Sequence, residues 1–292
     1  MVAGGLLILL AACLLWAVAG SARVLHPVQM SLPTVPSDQG LPWEPVMLSA
    51  ADGTPISAWL IRHPHPAGFL LMFHGFGAFK ADLLDVAGAL HRAGRFSALL
   101  LDFRGHGQSG RSAVTFGLRE LQEVQAALDL AEQDPALKGL PVGCWGVSMG
   151  GAIALLAAAR FPRILATVAD SAYADVSKTI AAALALTYHI PRFPLGQFVI
   201  WAMELRLWCR FSRLDPVQAV GKVAPRAVFL IHGGRDVTIP PAEGLAVYQA
   251  AREPKRWWLI PEAEHASCFY ERTEEYVQKV TEFFRDAFLR PS

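Results

Sequence analysis

From Pro45 onward the chain alternates short apolar runs with longer stretches of helical spacing. "PVMLSA" and "ISAWLI" flank Asp52-Gly53, which predicts an antiparallel hairpin. "GFLLMF" and "FSALLLDF" are unbroken apolar runs, the pattern of strands covered on both faces, and residues 81–93 between them read as a helix. Leu118, Leu121, Val124, Leu128 and Ala131 recur at helical spacing and predict a helix over residues 115–133. "LPVGCWG", "ILATVAD", "RAVFLIHG" and "RWWLIP" read as further strands, with helices at "MGGAIALLAAARF" and over residues 242–251. Tyr276, Val280, Phe283, Phe284 and Ala287 give the last helix one apolar face. Strands alternating with helices imply an α/β protein with a mostly parallel sheet and helices on both faces.

Two stretches depart from that alternation. Residues 171–224 lie between two strands, are rich in Leu, Phe and Trp, and are expected to form a small helical cap over the carboxyl ends of the strands. The other is the N-terminus, "MVAGGLLILLAACLLWAVAGSAR", with no charged side chain before Arg23 and about the 20 residues that a membrane-spanning helix needs. Residues 1–22 are therefore expected to be a membrane anchor, or else a signal cleaved after Ala17-Val18-Ala19 to leave a secreted or periplasmic protein. Leu10-Ala11-Ala12-Cys13 resembles a lipoprotein box, but the apolar run continues past Cys13. Residues 23–44 read as a Pro-rich linker and residues 45–292 as one domain.

The 292 residues are 53% hydrophobic and 17% charged, enough for a substantial core. A net charge of +1 gives no reason to expect nucleic acid as a partner. Cys13, Cys144, Cys209 and Cys268 are too scattered for a disulfide framework or a zinc site, with a single Cys209–Cys268 bridge left open.

"GCWGVSMGGA" holds a lone serine, Ser148, among glycines between a strand and a helix. A tight strand-to-helix turn lifts such a hydroxyl clear of the sheet. Side chains two residues before and after it would strike the neighbouring strand and helix, so Gly146-Val147-Ser148-Met149-Gly150 meets the steric condition for an exposed nucleophile. A serine hydroxyl needs a base, and the base an orienting carboxylate. "LIHGGRDVTIPP" places Asp236 just past one strand and "LIPEAEHASCF" places His265 just past the last.

These motifs resemble those of the α/β-hydrolase superfamily, particularly its serine hydrolases of the serine-aminopeptidase and monoacylglycerol-lipase-like type. "FHGFGAFKADL" resembles the oxyanion loop of that superfamily, "LDFRGHGQSG" its D-x-R-G-x-G-x-S segment, and "HGGRDVTIPP" and "EAEHASCF" its acid and histidine loops. The resemblance implies the α/β-hydrolase fold, a nucleophile at Ser148, an acid at Asp236 and a base at His265. It also implies an oxyanion hole from the Phe76 and Met149 amides, with no metal and no cofactor. Asp170, closing "TVADSAY", is the competing acid, since some relatives take theirs from that strand. His74 is expected to hold its loop, and Asp102, Arg104 and His106 to brace the loop after their strand. His63-Pro64-His65 reads as a solvated surface pair.

The activity expected is cleavage of carboxylic ester or thioester bonds through an acyl-serine, on a small, apolar acyl substrate. The alternatives are a peptidase for small peptides, for which residues 171–224 offer few acidic groups beyond Asp175, Glu204 and Asp215, and a non-catalytic, membrane-tethered binding protein. Leu184, Leu186, Phe193, Phe198, Trp201, Met203, Leu207 and Trp208 are expected to line an acyl pocket.

Overall fold

A computed structural model describes residues 15, 17–30 and 33–289. Eight strands form one sheet in the order β1-β2-β4-β3-β5-β6-β7-β8: β1 (Trp43–Ser49), β2 (Pro55–Ile61), β3 (Gly68–Phe73), β4 (Phe96–Leu101), β5 (Val142–Val147), β6 (Ile164–Asp170), β7 (Ala227–Gly233) and β8 (Lys255–Ile260). β2 runs antiparallel to both of its neighbours, and every pairing from β4 to β8 is parallel. The uninterrupted apolar strands are buried throughout, as at β3, β4 and β7, because helices cover both faces. Alternate residues of β3 enter two separate cores: Phe69, Leu71 and Phe73 on one face, Leu70 and Met72 on the other. The first core takes the helix Met149–Arg160 and the second takes Leu84–Gly94 and Thr273–Phe288.

The hairpin and all the expected strands are present. The helix expected over residues 115–133 begins only at Glu120. Phe116 (φ +55°) and Gly117 (φ +112°) break the helical path before it. The Glu120 carboxylate accepts from Thr115 N, Thr115 Oγ1 and Gly117 N at 2.6–2.8 Å, which stabilises the turn in place of a first helical turn.

The N-terminal expectation is corrected. No helix among the described residues is long and apolar enough to cross a membrane. The anchor or signal over residues 1–22, the membrane-tethered or exported location drawn from it, and the membrane as a partner are accordingly set aside. Residues 1–14, including Cys13, lie outside the described residues. Residues 17–25 are helical and packed on protein: Ala17 and Leu25 are buried in the first core, and Gly20 faces Val199. Arg206 donates to Ser21 Oγ (2.9 Å) and Val18 O (3.1 Å), and Val114 N donates to Leu25 O (2.8 Å). Protein contacts thus cover one side of this helix, at Ala17, Ser21 and Leu25, while Val18 stays exposed. After this helix, residues 33–42 include the turn Pro36–Gln39, with Pro36 and Leu41 buried.

Between β6 and β7 the chain forms the helices Val176–Tyr188 and Gln197–Leu207 and several short turns. Leu184, Met203 and Leu207 are buried in the first core, and Phe198 packs against it. Leu186, Phe193, Trp201 and Trp208 are exposed. Trp201 and Trp208 line a surface groove of about 590 Å³ with Glu204, Leu205, Cys209, Arg210 and Arg213, and none of Ser148, Asp236 or His265 borders it. The eight apolar residues therefore do not form one acyl pocket; the inward set packs the segment onto the core. Cys209 and Cys268 are both free thiols, one in each core on opposite faces of the sheet, so the bridge left open between them does not form.

Candidate active site

Sheet order reverses at β3, which lies between β4 and β5, and open α/β sheets bind ligands beyond the strand ends at such a point. Phe73 stands opposite Leu101 and Gly146, so the loops leaving β3, β4 and β5 emerge side by side. Ser148 is the link between β5 and the helix Met149–Arg160, with φ +56° and ψ −121°, a strained backbone for a residue with a Cβ. Its own N–H donates to Asp170 O at 2.8 Å, and its carbonyl accepts from Ala152 N, so both sides of the turn are fixed. The glycine argument holds in detail. A Cβ at Gly146 would lie 2.2 Å from Gly150 O, and one at Gly150 would lie 2.2 Å from Phe73 O.

His265, in the loop after β8, bridges the other two residues. Ser148 Oγ donates to His265 Nε2 at 3.0 Å, and His265 Nδ1 donates to Asp236 Oδ2 at 2.7 Å. The other carboxylate oxygen, Asp236 Oδ1, accepts from Thr238 N (3.0 Å) and Ile239 N (2.8 Å). Burial pushes the Asp236 carboxyl up, but hydrogen bonds from His232 and His265 outweigh it and bring its pKa down to about 2.

The competing acid points elsewhere. Asp170 Oδ1 accepts from Ser171 Oγ (2.8 Å), and Oδ2 from the Tyr276 hydroxyl (2.9 Å), which itself accepts from Trp145 Nε1 (3.0 Å). Asp170 thus ties the last helix to the sheet beneath Ser148. Burial raises its pKa against those hydroxyl bonds.

The loop after β3 is held by two histidines. His74 Nδ1 donates to Gly75 O (2.7 Å) while Nε2 accepts from Phe103 N (3.0 Å). His106 Nδ1 donates to Arg104 O (3.0 Å) while Nε2 accepts from Gly77 N (3.0 Å). Burial lowers both pKa values, that of His74 to about 3, so each ring is a neutral fixed tautomer. The Phe76 and Met149 amides have no hydrogen-bond partner among the described residues; Met149 follows Ser148 directly, and Phe76 follows Gly75, where a Cβ would lie 3.3 Å from Ser148 Cβ. The Phe76 ring, half exposed, stacks on Phe116 at 5.9 Å.

Below this loop, Asp102 pairs with the buried Lys80 and accepts from Lys80 N (2.7 Å) and Gln108 N (2.9 Å). Arg104, fully buried, pairs with Glu123 (2.5 Å) and Asp52 (2.7 Å). These residues brace the loop, as their motif suggested. Sequence reasoning passed over Lys80, Glu123 and His232. The available signal was a single charged or titratable residue inside an otherwise apolar or loop-forming motif. His232, the next-to-last residue of a wholly buried strand and four residues before Asp236, was the clearest instance.

The sheet order, the flanking helices and the strand-to-helix turn define the α/β-hydrolase fold, and serine hydrolases are among the proteins that this chain resembles. Residues 64–203 match the protein family described as serine aminopeptidase, S33. Among curated proteins, the chain is 28% identical to the uncharacterized protein YqkD of Bacillus subtilis (strain 168) over 190 residues, 64% of this chain and 62% of that protein. It is also 28% identical to the uncharacterized protein YfhR of Escherichia coli (strain K12) over 257 residues, 84% of this chain and 82% of that one. Among solved structures, the Pyrococcus furiosus esterase Pf2001 superposes with a TM-score of 0.76 at 22% identity, covering 91% of this chain and 99% of that one. The α/β hydrolase GrgF from Penicillium sp. sh18 superposes with a TM-score of 0.70 at 20% identity, covering 86% and 100%.

Proposed function

We propose that this protein cleaves carboxylic ester or thioester bonds through an acyl-serine formed on Ser148. The hydrogen-bonded line Ser148–His265–Asp236 carries this reading. Ser148 Oγ attacks the acyl carbonyl while His265 Nε2 takes its proton. Asp236 holds the ring with Nδ1 protonated and stabilises the imidazolium that forms. The amides of Phe76 and Met149 donate to the oxyanion, an arrangement in which each donor is typically worth about 2.7–4 kcal/mol in the transition state. His265 returns the proton to the departing alcohol or thiol. It then deprotonates a water that attacks the acyl-serine, releasing the acid and restoring Ser148. The similarity to an esterase of known structure supports the ester reading.

A fluorophosphonate probe tests it. The wild type should be labelled and Ser148→Ala should not, and p-nitrophenyl esters should be turned over in preference to aminoacyl amides. Equal labelling of the two proteins would remove Ser148 from the chemistry. Hydrolysis of small peptides is the second reading, favoured by the family match and by Asp175, Asp215 and Glu243. Their carboxylates all meet backbone N–H groups of residues 174–178. A preference for aminoacyl amides over esters would select it.

A further inference from the structure

His232 is fully buried near the end of β7, beneath the loop that carries Asp236. Its Nε2 donates to Ile239 O at 2.8 Å and lies 3.5 Å from Asp236 Oδ2, the oxygen that accepts from His265. Ile239 N in turn donates to Asp236 Oδ1. One imidazole therefore reaches the far end of the acid loop and the near side of its carboxylate together. Val237 is exposed on the outside of this loop, so the hold on Ile239 comes from the sheet side.

The other ring nitrogen has no such reward. His232 Nδ1 is buried without a hydrogen-bond partner among the described residues. It faces the helix Pro241–Ala250 at Gly244, where a Cβ would stand 2.4 Å from it, and Trp257 of β8 stacks on the ring at 6.2 Å. A buried polar atom left unpaired costs folding free energy that an apolar ring of the same shape would not. The imidazole at this place is explained by what Nε2 does.

We propose that His232 is a positioning residue for the acid: it clamps the turn Asp236–Ile239 and sets its Nε2–H against Asp236 Oδ2, keeping the carboxylate aimed at His265. This rests on the reading of Asp236 as the acid partner of His265. Gly244 belongs to the device because it alone leaves room for the ring edge. The titration behaviour agrees with the contact. Burial works against protonation of His232, yet Asp236 and the Ile239 carbonyl raise its pKa.

His232→Phe keeps the ring and its stacking on Trp257 and deletes the donor, whereas His232→Gln returns an N–H at similar reach. With a p-nitrophenyl ester, His232→Phe should lower kcat about tenfold or more, the effect of losing one hydrogen bond at a charged group, with KM unchanged. His232→Gln should recover most of that loss. Tm of His232→Phe should change little, since loss of the unpaired Nδ1 offsets the Ile239 carbonyl left without its donor; a merely structural role would lower Tm and kcat together. Wild-type kcat in His232→Phe, or equal losses in His232→Phe and His232→Gln, overturns the proposal. Gly244→Ala crowds the ring at Nδ1 and removes no donor; it should also lower kcat at constant KM, and wild-type kcat there overturns the proposal even if His232→Phe does not fold. Fluorophosphonate labelling of the wild type is read first. Its absence defeats the hydrolase reading itself, while normal labelling with normal turnover in these variants defeats only the role of His232.

Discussion

Replacing Asp236 by Asn tests the acid assignment with a direction set by the surrounding groups. Asp236 Oδ1 faces two N–H donors, Thr238 N and Ile239 N, at 3.0 and 2.8 Å. An asparagine must put its carbonyl oxygen there, because an NH2 group would face two other donors. Its NH2 then occupies the Oδ2 position, opposite His265 Nδ1 at 2.7 Å and His232 Nε2 at 3.5 Å. To accept from it, His265 must carry its proton on Nε2. That proton points at Ser148 Oγ, 3.0 Å away, and the base is lost. The precedent for a wrong tautomer in a Ser-His-Asp site is about 10⁴-fold in kcat, or about 5.5 kcal/mol at about 1.4 kcal/mol per factor of ten. The assay is steady-state hydrolysis of a p-nitrophenyl ester beside the fluorophosphonate labelling rate, with thermal unfolding as the fold control. Asp170→Asn is the comparison: its partners are Ser171 and Tyr276, so it should alter Tm more than kcat. A folded Asp236→Asn within tenfold of wild type, with turnover lost in Asp170→Asn instead, refutes the reasoning. A pH signature accompanies it. The folded pKa of Asp236, about 2, lies below its ordinary 3.8, so its stabilising contribution is present above about pH 4 and disappears as pH falls towards 2. Asp236→Asn should show a shallower loss of stability over that acid range.

Asp215 offers the opposite sign. Burial, with Asp175 and Glu243 nearby and despite a bond from Val176 N, raises its pKa to about 6, so stability from this group falls as pH rises from about 4 to 6. Asp215→Asn should raise Tm more at pH 8 than at pH 5, and an equal shift at both would contradict this. Gly150→Ala would set a Cβ 2.2 Å from Phe73 O and 2.6 Å from His74 O, and should cost about 1–3 kcal/mol or more in denaturant unfolding together with activity. Lys80→Met strands the buried Asp102 charge and should cost about 3–5 kcal/mol by the same measurement. Trp201→Ala should leave the dependence of kcat/KM on ester chain length unchanged, because Trp201 lines the outer groove; a flattened dependence would place that groove in the substrate path.

Much of this protein could be read from local pattern. Apolar runs without alternation specify strands buried on both faces, and each one formed a strand of the sheet. The glycines around Ser148 were legible because a steric condition at a single turn is written within five residues, and the gaps at Gly146 and Gly150 bear that out. Where local spacing met a turn stabilised by a side chain, it misled: residues 115–119 carry helical periodicity, but Glu120 satisfies their amides in another conformation.

What depended on distant neighbours was decided only in three dimensions. Asp170 and Asp236 both lie near the ends of buried strands in similar local settings. Tyr276, from a helix over a hundred residues later, draws the Asp170 carboxylate down, while the Asp236 carboxylate is left facing His265. The apolar N-terminal run has the composition of a membrane segment. Hydropathy alone does not distinguish lipid from a protein surface, and Val199, Arg206 and Val114 supply protein contacts to residues 17–25. The helix Gln197–Leu207 is apolar nearly all round, so periodicity could not tell its inward residues, Met203 and Leu207, from the exposed Trp201 and Leu205. His232 is part of a strand by pattern and a neighbour of Asp236 by position, because the turn that brings Ile239 back over it exists only after β7 has taken its place in the sheet.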